Sequence, residues 1–343
     1  MSHRILIIGP GAVGGLFGVR LAAAGMTVSF AARNQEMARC LNRKGVTLLD
    51  ASGATHGVVR GFPLQRLPGD ADLLIITVKI YDLVSICKRI SALLERVPAI
   101  VLVQSSLQLK DLVPAPLRQK TMAASLMIGV AGAASDVVVE TGPGSMSLGP
   151  LCNNKGDLSL VSETAGVLRN VAKVKMSHSI TGALFSKVAF NVATVPFCVA
   201  AGASFGKTFA RSQKAVNYAA HILQECARVG ICCREIRHGR MGPVAVSDVA
   251  ADIEAARESI AWLVSRFPNV MPSAVFDAMR QHPTELPFFF RDIEILGQGR
   301  PALLVRIKAI RDIVEMRLAK EQSFGPSLLS GMLAGLDDMN WKT

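Results

Sequence analysis

The first thirty or so residues contain three features in succession: a short apolar run, a glycine motif, and a segment with the apolar spacing of a helix. The run at 4–8 predicts a buried strand of a parallel sheet. The motif G-x-G-x-x-G follows at once at 9–14, and apolar residues with helical spacing occupy 16–22. A second strand is predicted at 27–31. Because the glycine motif begins right after a strand and opens a helix, the pattern predicts a Rossmann-type domain.

Each glycine of the motif is expected to have its own physical role. Gly9 permits a tight turn, Gly11 lets a pyrophosphate approach the backbone, and Gly14 lets the helix pack closely. The first helical turn contains Ala12 and Val13, where free N–H groups and the helix dipole favour an anion. The motif therefore predicts a bound dinucleotide. The alternative is a glycine-rich turn that binds nothing.

The residue at the end of the second strand predicts which dinucleotide binds. An acidic residue at this place would hydrogen-bond the ribose hydroxyls of NAD, whereas an arginine can pair with the 2′-phosphate of NADP. The sequence has Arg33 here and no carboxylate before Glu36. We therefore expect NADPH or NADP rather than NAD, with a solvated surface charge as the alternative for Arg33.

Two further buried strands are predicted at 72–78 and 98–103. The carboxyl ends of parallel strands line the ligand crevice of an open sheet. Lys79 ends the first of these strands, and Gln104 and Ser105 follow the second. We therefore expect these three residues to face the cofactor.

The rest of the first half is predicted to add β-structure, namely a strand at 121–126 and a hairpin over 137–149 with Gly-Pro-Gly at 142–144 in its middle. Strand-like runs then give way to helical periodicity. The predicted fold is α/β. An N-terminal Rossmann-type doubly wound sheet at 1–178 is followed by an all-helical C-terminal domain at 179–343.

Five helices are predicted in the second half, over 180–192, 214–228, 247–267, 273–281 and 302–320. The first of them carries Lys187 and Asn191, which are four residues apart and share one helix face. Pro196 is expected to kink or end this helix.

Lys187 has apolar neighbours along the chain. If it faces a cleft between the domains, loss of solvation lowers its pKa towards the range of a general acid. Lys187 is therefore the candidate catalytic proton donor, and Asn191 could act on the same small-molecule substrate. The alternative is an ordinary helix lysine that reaches solvent.

Composition argues against several other classes. The formal net charge of +12 favours anionic partners, but the basic residues are scattered and only 5% of residues are aromatic, so nucleic-acid binding is not expected. The sequence contains no uninterrupted apolar run of 18 residues, so we do not expect a membrane-spanning helix. The seven cysteines include no C-x-x-C pair and the histidines are dispersed, which indicates reduced thiols in the cytoplasm and no metal site.

Together these residues resemble the ketopantoate reductase (2-dehydropantoate 2-reductase) family over nearly the whole chain. The resemblance implies a possible homodimer and transfer of a hydride from NADPH to the C2 carbonyl of a 2-oxo acid. Lys187 takes the place of the family's proton donor, and Lys79 that of a lysine that helps to hold the cofactor. The matching segments are 9–14, Arg33, 78–79, 148–150, Lys187 with Asn191, Glu225 with Gly230, 291–292, 299–301 and 325–326.

The sequence departs from the family at its substrate-binding residues. The family's Gln-Asn-Gly is Gln-Ser-Ser here, which replaces an asparagine that touches cofactor and substrate by Ser105. Another asparagine, a serine and a glutamate correspond to Val195, Phe288 and Leu303. Each polar group is worth ~1–3 kcal/mol when its partner is left unpaired. These changes predict an oxidoreductase acting on a carbonyl or imine carbon of a substrate more apolar than ketopantoate, although the phenylalanines could equally be core residues.

Two alternatives for the function stay open. The chain could be a genuine 2-dehydropantoate 2-reductase of pantothenate biosynthesis. It could also be a non-catalytic NADP-binding sensor or partner protein, since the loss of polar substrate groups is what such a change of role would produce.

Overall fold

A computed structural model describes residues 3–134, 136–152, 158–320 and 324–338. The chain forms two compact units. The first unit comprises Met1–Gln104 and Gln108–Ile180, and the second comprises Ser105–Leu107 and Thr181–Thr343.

The first unit is built on one ten-stranded sheet. Its strands are β1 (Arg4–Ile8), β2 (Thr27–Ala32), β3 (Val46–Asp50), β4 (Gly53–Gly57), β5 (Arg60–Pro63), β6 (Leu73–Ile76), β7 (Ile100–Leu102), β8 (Thr121–Ala134), β9 (Val137–Pro150) and β10 (Lys173–Met176). Its helices are α1 (Ala12–Ala23), α2 (Gln35–Lys44), α3 (Ile80–Arg89), α4 (Ser91–Arg96), α5 (Leu109–Leu112) and α6 (Ser159–Leu168).

The centre of this sheet confirms the predicted Rossmann-type arrangement. The strands β5-β2-β1-β6-β7-β8 are neighbours in that order and run parallel, which is the doubly wound order. Strand β1 lies between β2 and β6, with Ile7 opposite Phe30 and Ile75. The strand order reverses beside β1, and this is where such folds bind ligands.

The sheet continues beyond β8 in a way that the sequence did not reveal. Strand β9 runs antiparallel to β8, and both β3 and β10 pair with β9. The hairpin predicted over 137–149 is wrong, because β9 runs unbroken through 142–144. The glycines there serve close strand pairing rather than a turn. A Cβ on Gly144 would lie 1.7 Å from the carbonyl oxygen of Met127, and the β8–β9 register shifts beside Gly129.

The second unit is almost entirely helical. Its helices are α7 (Thr181–Ala201), α8 (Phe205–Phe209), α9 (Gln213–Gly230), α10 (Val246–Ala251), α11 (Ile253–Arg266), α12 (Ser273–Met279), α13 (Leu286–Leu296), α14 (Val305–Lys320) and α15 (Pro326–Asp338). One correction to the all-helical prediction is a small antiparallel pair, β11 (Arg240–Met241) with β12 (Val244–Ala245).

Two of the predicted helices differ most from their expected bounds, and the others agree to within about three residues at each end. The helix expected over 247–267 is divided into α10 and α11, because Asp252 is extended and its Oδ1 accepts a hydrogen bond from the amide of Glu254, which caps α11. Helix α7 does not end at Pro196 but continues to Ala201.

Helix α7 forms the core of the second unit and packs against α9, α13 and α15. By length and hydropathy it could cross a membrane, but 78% of its apolar window is buried in the structure, as expected of a core helix.

Helix α13 was not predicted. Its Phe289 and Phe290 are buried, so these two phenylalanines are core residues, while Phe288 is half-buried.

Candidate active site

The glycine motif forms a tight loop between β1 and α1. Gly9 has φ of +107°, a left-handed conformation that favours glycine. A Cβ on Gly14 would lie only 2.1 Å from the carbonyl oxygen of Gly9, so that position requires glycine as well. The close approach is therefore between the two ends of the loop itself, and a side chain at either glycine would force the loop open.

A residue of the neighbouring strand end braces this loop. The Thr77 hydroxyl donates a hydrogen bond to the carbonyl oxygen of Gly9 at 2.8 Å and lies 3.1 Å from the carbonyl oxygen of Ile8. The backbone amide of Thr77 donates to that same Ile8 oxygen at 2.9 Å. Thr77 was not predicted from the sequence to belong to the candidate site. The available signal was a hydroxyl at the end of a strand next to the glycine loop.

Gly11 differs from the other two motif glycines. A Cβ at Gly11 would meet no atom of the described protein within 4 Å, so the space beside it is open. Gly11 is the N-cap of α1, no side chain caps that helix, and no acidic residue occupies its first turn. Ala12 and Val13 therefore begin a helix whose terminal N–H groups suit an anion such as a pyrophosphate.

Arg33 lies at the carboxyl end of β2 and is exposed. It borders an open concavity of the first unit that two further arginines, Arg39 and Arg66, also line. Asn34 belongs to the same rim and caps α2 by accepting a hydrogen bond from the amide of Met37. The described lining residues include no carboxylate, so the concavity is strongly basic and suits a phosphate group.

Lys79 and Gln104 follow the adjacent ends of β6 and β7. Lys79 is half-buried and is the N-cap of α3. Gln104 is only 3% exposed, and its amide group donates to the carbonyl oxygens of Ile76 at 3.0 Å and Val78 at 2.8 Å. Gln104 thus ties the two strand ends together. Its contact with the cofactor stays a prediction, as does that of Lys79.

Ser105 lies in a three-residue segment of the second unit, Ser105–Leu107, which we call the strap. Ser105 is half-buried. The next residue, Ser106, is buried and its hydroxyl donates to Oδ1 of Asp292 at 3.2 Å, while the amide of Leu107 donates to Oδ2 at 2.7 Å. Burial raises the pKa of Asp292 to about 6, although both of these hydrogen bonds favour its charged form.

Lys187 is half-buried in the second turn of α7. Loss of solvation lowers its pKa to about 8, and the carboxylate of Glu285 opposes this shift. Glu285 is the N-cap of α13, which packs against α7. Asn191 is half-buried one turn further along α7. A lysine whose pKa lies near neutrality can donate a proton and then take up another proton from solvent.

The residues that replace the expected polar substrate groups have different environments. Val195 is 2% exposed and belongs to the core, so it presents no side chain to a ligand. Phe288 and Leu303 are half-buried.

Glu225 is buried and structural, since its carboxylate accepts hydrogen bonds from the amides of Arg306 and Ile307 at the start of α14.

No group of three potential metal ligands occurs among the described residues. All seven cysteines, each of which lies in a described part of the chain, are free thiols.

Comparison with known proteins agrees with the resemblance drawn from the sequence. Residues 5–153 match the profile of the family described as ketopantoate reductase PanE/ApbA. A search of curated proteins finds no match to this sequence.

Solved structures share the fold over nine-tenths of the chain. D-mandelate dehydrogenase, in a ternary complex with NADH and anilino(oxo)acetate, has 17% sequence identity and a TM-score of 0.74, and the match covers 91% of this chain and 99% of that one. A PanE/ApbA family ketopantoate reductase from Ralstonia eutropha has 20% identity and a TM-score of 0.70, with the same coverage. 2-Dehydropantoate 2-reductase from Methylococcus capsulatus has 20% identity and a TM-score of 0.71, with 93% and 98% covered.

These matches confirm the fold and the resemblance to the family. The profile match covers the first unit up to the end of β9, and the structural matches extend through the helical unit. The proteins that share the fold are oxidoreductases.

Proposed function

We propose that this protein is an NADPH-dependent oxidoreductase, since residues 5–153 match the profile of the ketopantoate reductase family and 91% of the chain shares the fold of a solved member. It would transfer a hydride to a carbonyl or imine carbon of a substrate more apolar than ketopantoate. Each unit contributes one observation to the proposal: the first has a glycine loop that is open at Gly11, and the second has Lys187, whose pKa is about 8.

The first unit supplies the dinucleotide site. The pyrophosphate would bind against the backbone at Gly11, where no side chain caps α1 and the first N–H groups of a helix have no partner within the helix itself. Thr77 keeps the loop in shape before binding, so little ordering is needed when the cofactor arrives. When bound, the reduced nicotinamide supplies the hydride.

NADP is favoured over NAD by the charge of the concavity beside β2. Arg33, Arg39 and Arg66 provide three guanidinium groups, and a 2′-phosphate adds the negative charge that they can pair with. The D-mandelate dehydrogenase complex contains NADH. The preference for NADPH here therefore depends on these three arginines.

The second unit supplies the proton. As the hydride adds to the electrophilic carbon, the electron pair of the C=O or C=N bond moves to the heteroatom, which takes a proton from the ammonium group of Lys187. The lysine is left neutral and regains its proton from solvent. Because Lys187 is half-buried and has a pKa of about 8, both steps are accessible near neutral pH. Asn191, on the same helix face, would orient the substrate.

An apolar substrate is supported by two residues of the second unit. Phe288 and Leu303 are half-buried where hydrogen-bonding groups are expected from the family. The D-mandelate dehydrogenase structure contains anilino(oxo)acetate, a carboxylate whose adjacent carbonyl carries an anilino group and which therefore combines the outline of a 2-oxo acid with an aromatic ring. We propose oxo compounds with an apolar or aromatic substituent as the first substrates to test.

The experiment measures NADPH oxidation with phenylglyoxylate, ketopantoate, aliphatic ketones and a cyclic imine. Turnover should be fastest with an apolar member of this panel and should be lost in Lys187→Ala, with the NADPH affinity unchanged. Lys308→Ala is the matched control, because Lys308 is an exposed lysine of the same unit.

The other outcomes separate the alternatives. Fastest turnover with ketopantoate would identify a genuine 2-dehydropantoate 2-reductase. Tight NADPH binding without turnover across the panel would identify a binding protein. Absence of NADPH binding would refute the proposal altogether.

We also propose a cytoplasmic location, which the free thiols support because such cysteines stay reduced there. We further propose that the protein forms a homodimer, which a measurement of its molecular mass in solution tests.

A further inference from the structure

The strap is the part of the chain where three residues belong to the second unit although their neighbours on both sides belong to the first. Gln104 ends one stretch of the first unit and Gln108 begins the next, while Ser105–Leu107 group with the helical unit. Something in the second unit must therefore hold this short segment.

The group that holds it is the carboxylate of Asp292 on α13. Each carboxylate oxygen takes one hydrogen bond from the strap: Oδ1 from the hydroxyl of Ser106 at 3.2 Å and Oδ2 from the amide of Leu107 at 2.7 Å. Asp292 and Ser106 are each 2% exposed, so water does not compete for these bonds. The two bonds point the carboxylate at the strap rather than at solvent.

A buried carboxylate is an unfavourable way to achieve packing alone. Its loss of solvation disfavours folding with the charge present, and an apolar side chain of similar size would fill the same space at lower cost. A hydrogen bond to a charged group, in contrast, fixes the direction of the donor. The arrangement at Asp292 thus favours the accurate placement of the strap.

The residue that gains most from this placement is Ser105. Asp292 fixes the two residues that follow it, and hence the backbone from which the half-buried Ser105 side chain projects. Helix α13 also has Glu285 as its N-cap, whose charge acts on Lys187, and it packs against the helix that carries Lys187. The strap and the candidate proton donor are therefore fixed to the same pair of helices.

We propose that Asp292 is a positioning residue that, through its hydrogen bonds to Ser106 and Leu107, holds Ser105 in place to contact the dinucleotide. This inference rests on the proposed function, since it needs a dinucleotide to bind.

The first measurement follows the strap itself by hydrogen exchange of the Leu107 amide. Asp292→Ala removes the acceptor and should speed this exchange at least tenfold. Asp292→Asn should keep most of the protection, because its amide oxygen can still accept from Leu107. Glu294→Gln is the matched control on α13, where Glu294 pairs with Arg311, and should leave the exchange unchanged.

The second measurement is the affinity for NADPH, which needs no knowledge of the substrate. Ser105→Ala and Asp292→Ala should each weaken binding about three- to tenfold, the size expected for one hydrogen bond. The double variant should be no weaker than the worse single variant, because both changes remove the same contact. Asp292→Asn should restore most of the affinity. A purely structural role for Asp292 would instead give additive losses.

The outcomes distinguish this inference from the proposed function. If Asp292→Ala frees the Leu107 amide but NADPH binds as in the wild type, the positioning role is refuted and the proposed function stands. If the wild type does not bind NADPH, the proposed function fails and the inference fails with it. If Asp292→Ala does not fold, Ser106→Ala and Asp292→Asn take its place. Ser106→Ala should then show a smaller loss of affinity that is also non-additive with Ser105→Ala, and additivity would refute the inference.

Discussion

The hydroxyl of Thr77 donates to the carbonyl oxygen of Gly9 at 2.8 Å, which joins the end of β6 to the loop that follows β1. These residues are 68 positions apart in the chain, yet this contact fixes the turn in which Gly9 adopts its left-handed conformation. The shape of the loop is thus held by a residue at the end of a neighbouring strand and not only by its own glycines.

Replacement of Thr77 tests this brace. Thr77→Val keeps the shape of the side chain but loses the donor, so we expect a loss of unfolding free energy of about 1 kcal/mol and a weaker NADPH affinity. Thr77→Ser keeps the hydroxyl and should behave like the wild type. Denaturant unfolding and NADPH titration check both variants. Equal affinity in Thr77→Val and the wild type would show that the loop does not need the bond.

Replacing Gly14 or Gly11 of the motif by alanine should impair NADPH binding in both cases, but only the change at Gly14 should also destabilise the fold. At Gly14 the new methyl group would lie 2.1 Å from a backbone oxygen, so Gly14→Ala should lower the unfolding free energy by about 3 kcal/mol and impair binding. At Gly11 the methyl group meets no protein atom, so Gly11→Ala should fold normally but lose NADPH affinity. Thermal unfolding and NADPH titration separate the two effects.

A glycine remote from the motif provides the control. Gly166 is exposed in the last turn of α6 and a Cβ there meets no described atom within 4 Å, so Gly166→Ala should raise the unfolding free energy by roughly 0.5 kcal/mol without changing NADPH affinity. Normal NADPH binding by Gly11→Ala would contradict the placement of the pyrophosphate at this loop.

The three arginines of the basic concavity should set the preference for NADPH over NADH. Replacing Arg33, Arg39 or Arg66 by alanine should weaken NADPH binding about tenfold or less each, with little effect on NADH, because only NADPH has the 2′-phosphate. Added salt should reduce the preference of the wild type. Arg43→Ala is the control, since Arg43 is an exposed residue of α2 that does not line the concavity.

The pKa of Lys187 predicts the alkaline side of the pH profile. The lysine donates a proton only when it is charged, so turnover should fall as the pH rises through about 8. The carboxylate of Glu285 raises this pKa, so Glu285→Gln should move the fall to lower pH. Glu294→Gln on the same helix should leave it in place. A profile that stays flat from pH 7 to 10 would exclude Lys187 as the proton donor, provided that the proton-transfer step limits the rate.

The same pKa has a consequence for stability. Lys187 has a lower pKa in the folded chain than the ordinary value of 10.5, so the unfolded chain holds more protons between about pH 8 and 10.5. This residue therefore contributes increasing stability as the pH rises through that window, whereas turnover decreases over the same window. Comparing Lys187→Met with the wild type at pH 7 and pH 10 isolates the effect, and a constant difference in unfolding free energy would contradict it.

Several features of this protein were determined by the sequence alone. The strand, glycine motif and helix at the N-terminus involve residues that are adjacent in the chain, and each obeys a local rule of backbone conformation or periodicity. The structure confirms β1 with the predicted bounds and α1 directly after Gly11. For α7 the sequence predicted the start of the helix but not its end, since the helix continues past Pro196 to Ala201.

Tertiary structure decided the features that depend on distant partners. Gly-Pro-Gly at 142–144 has the local chemistry of a turn, but pairing with β8 makes it part of a strand. Asp292 meets Ser106 across 186 positions, and nothing local to either residue reveals the contact. Local chemistry specifies backbone conformation, but the neighbours of a buried polar group are chosen by the packing of the whole unit, and in this protein those neighbours set the properties of the site.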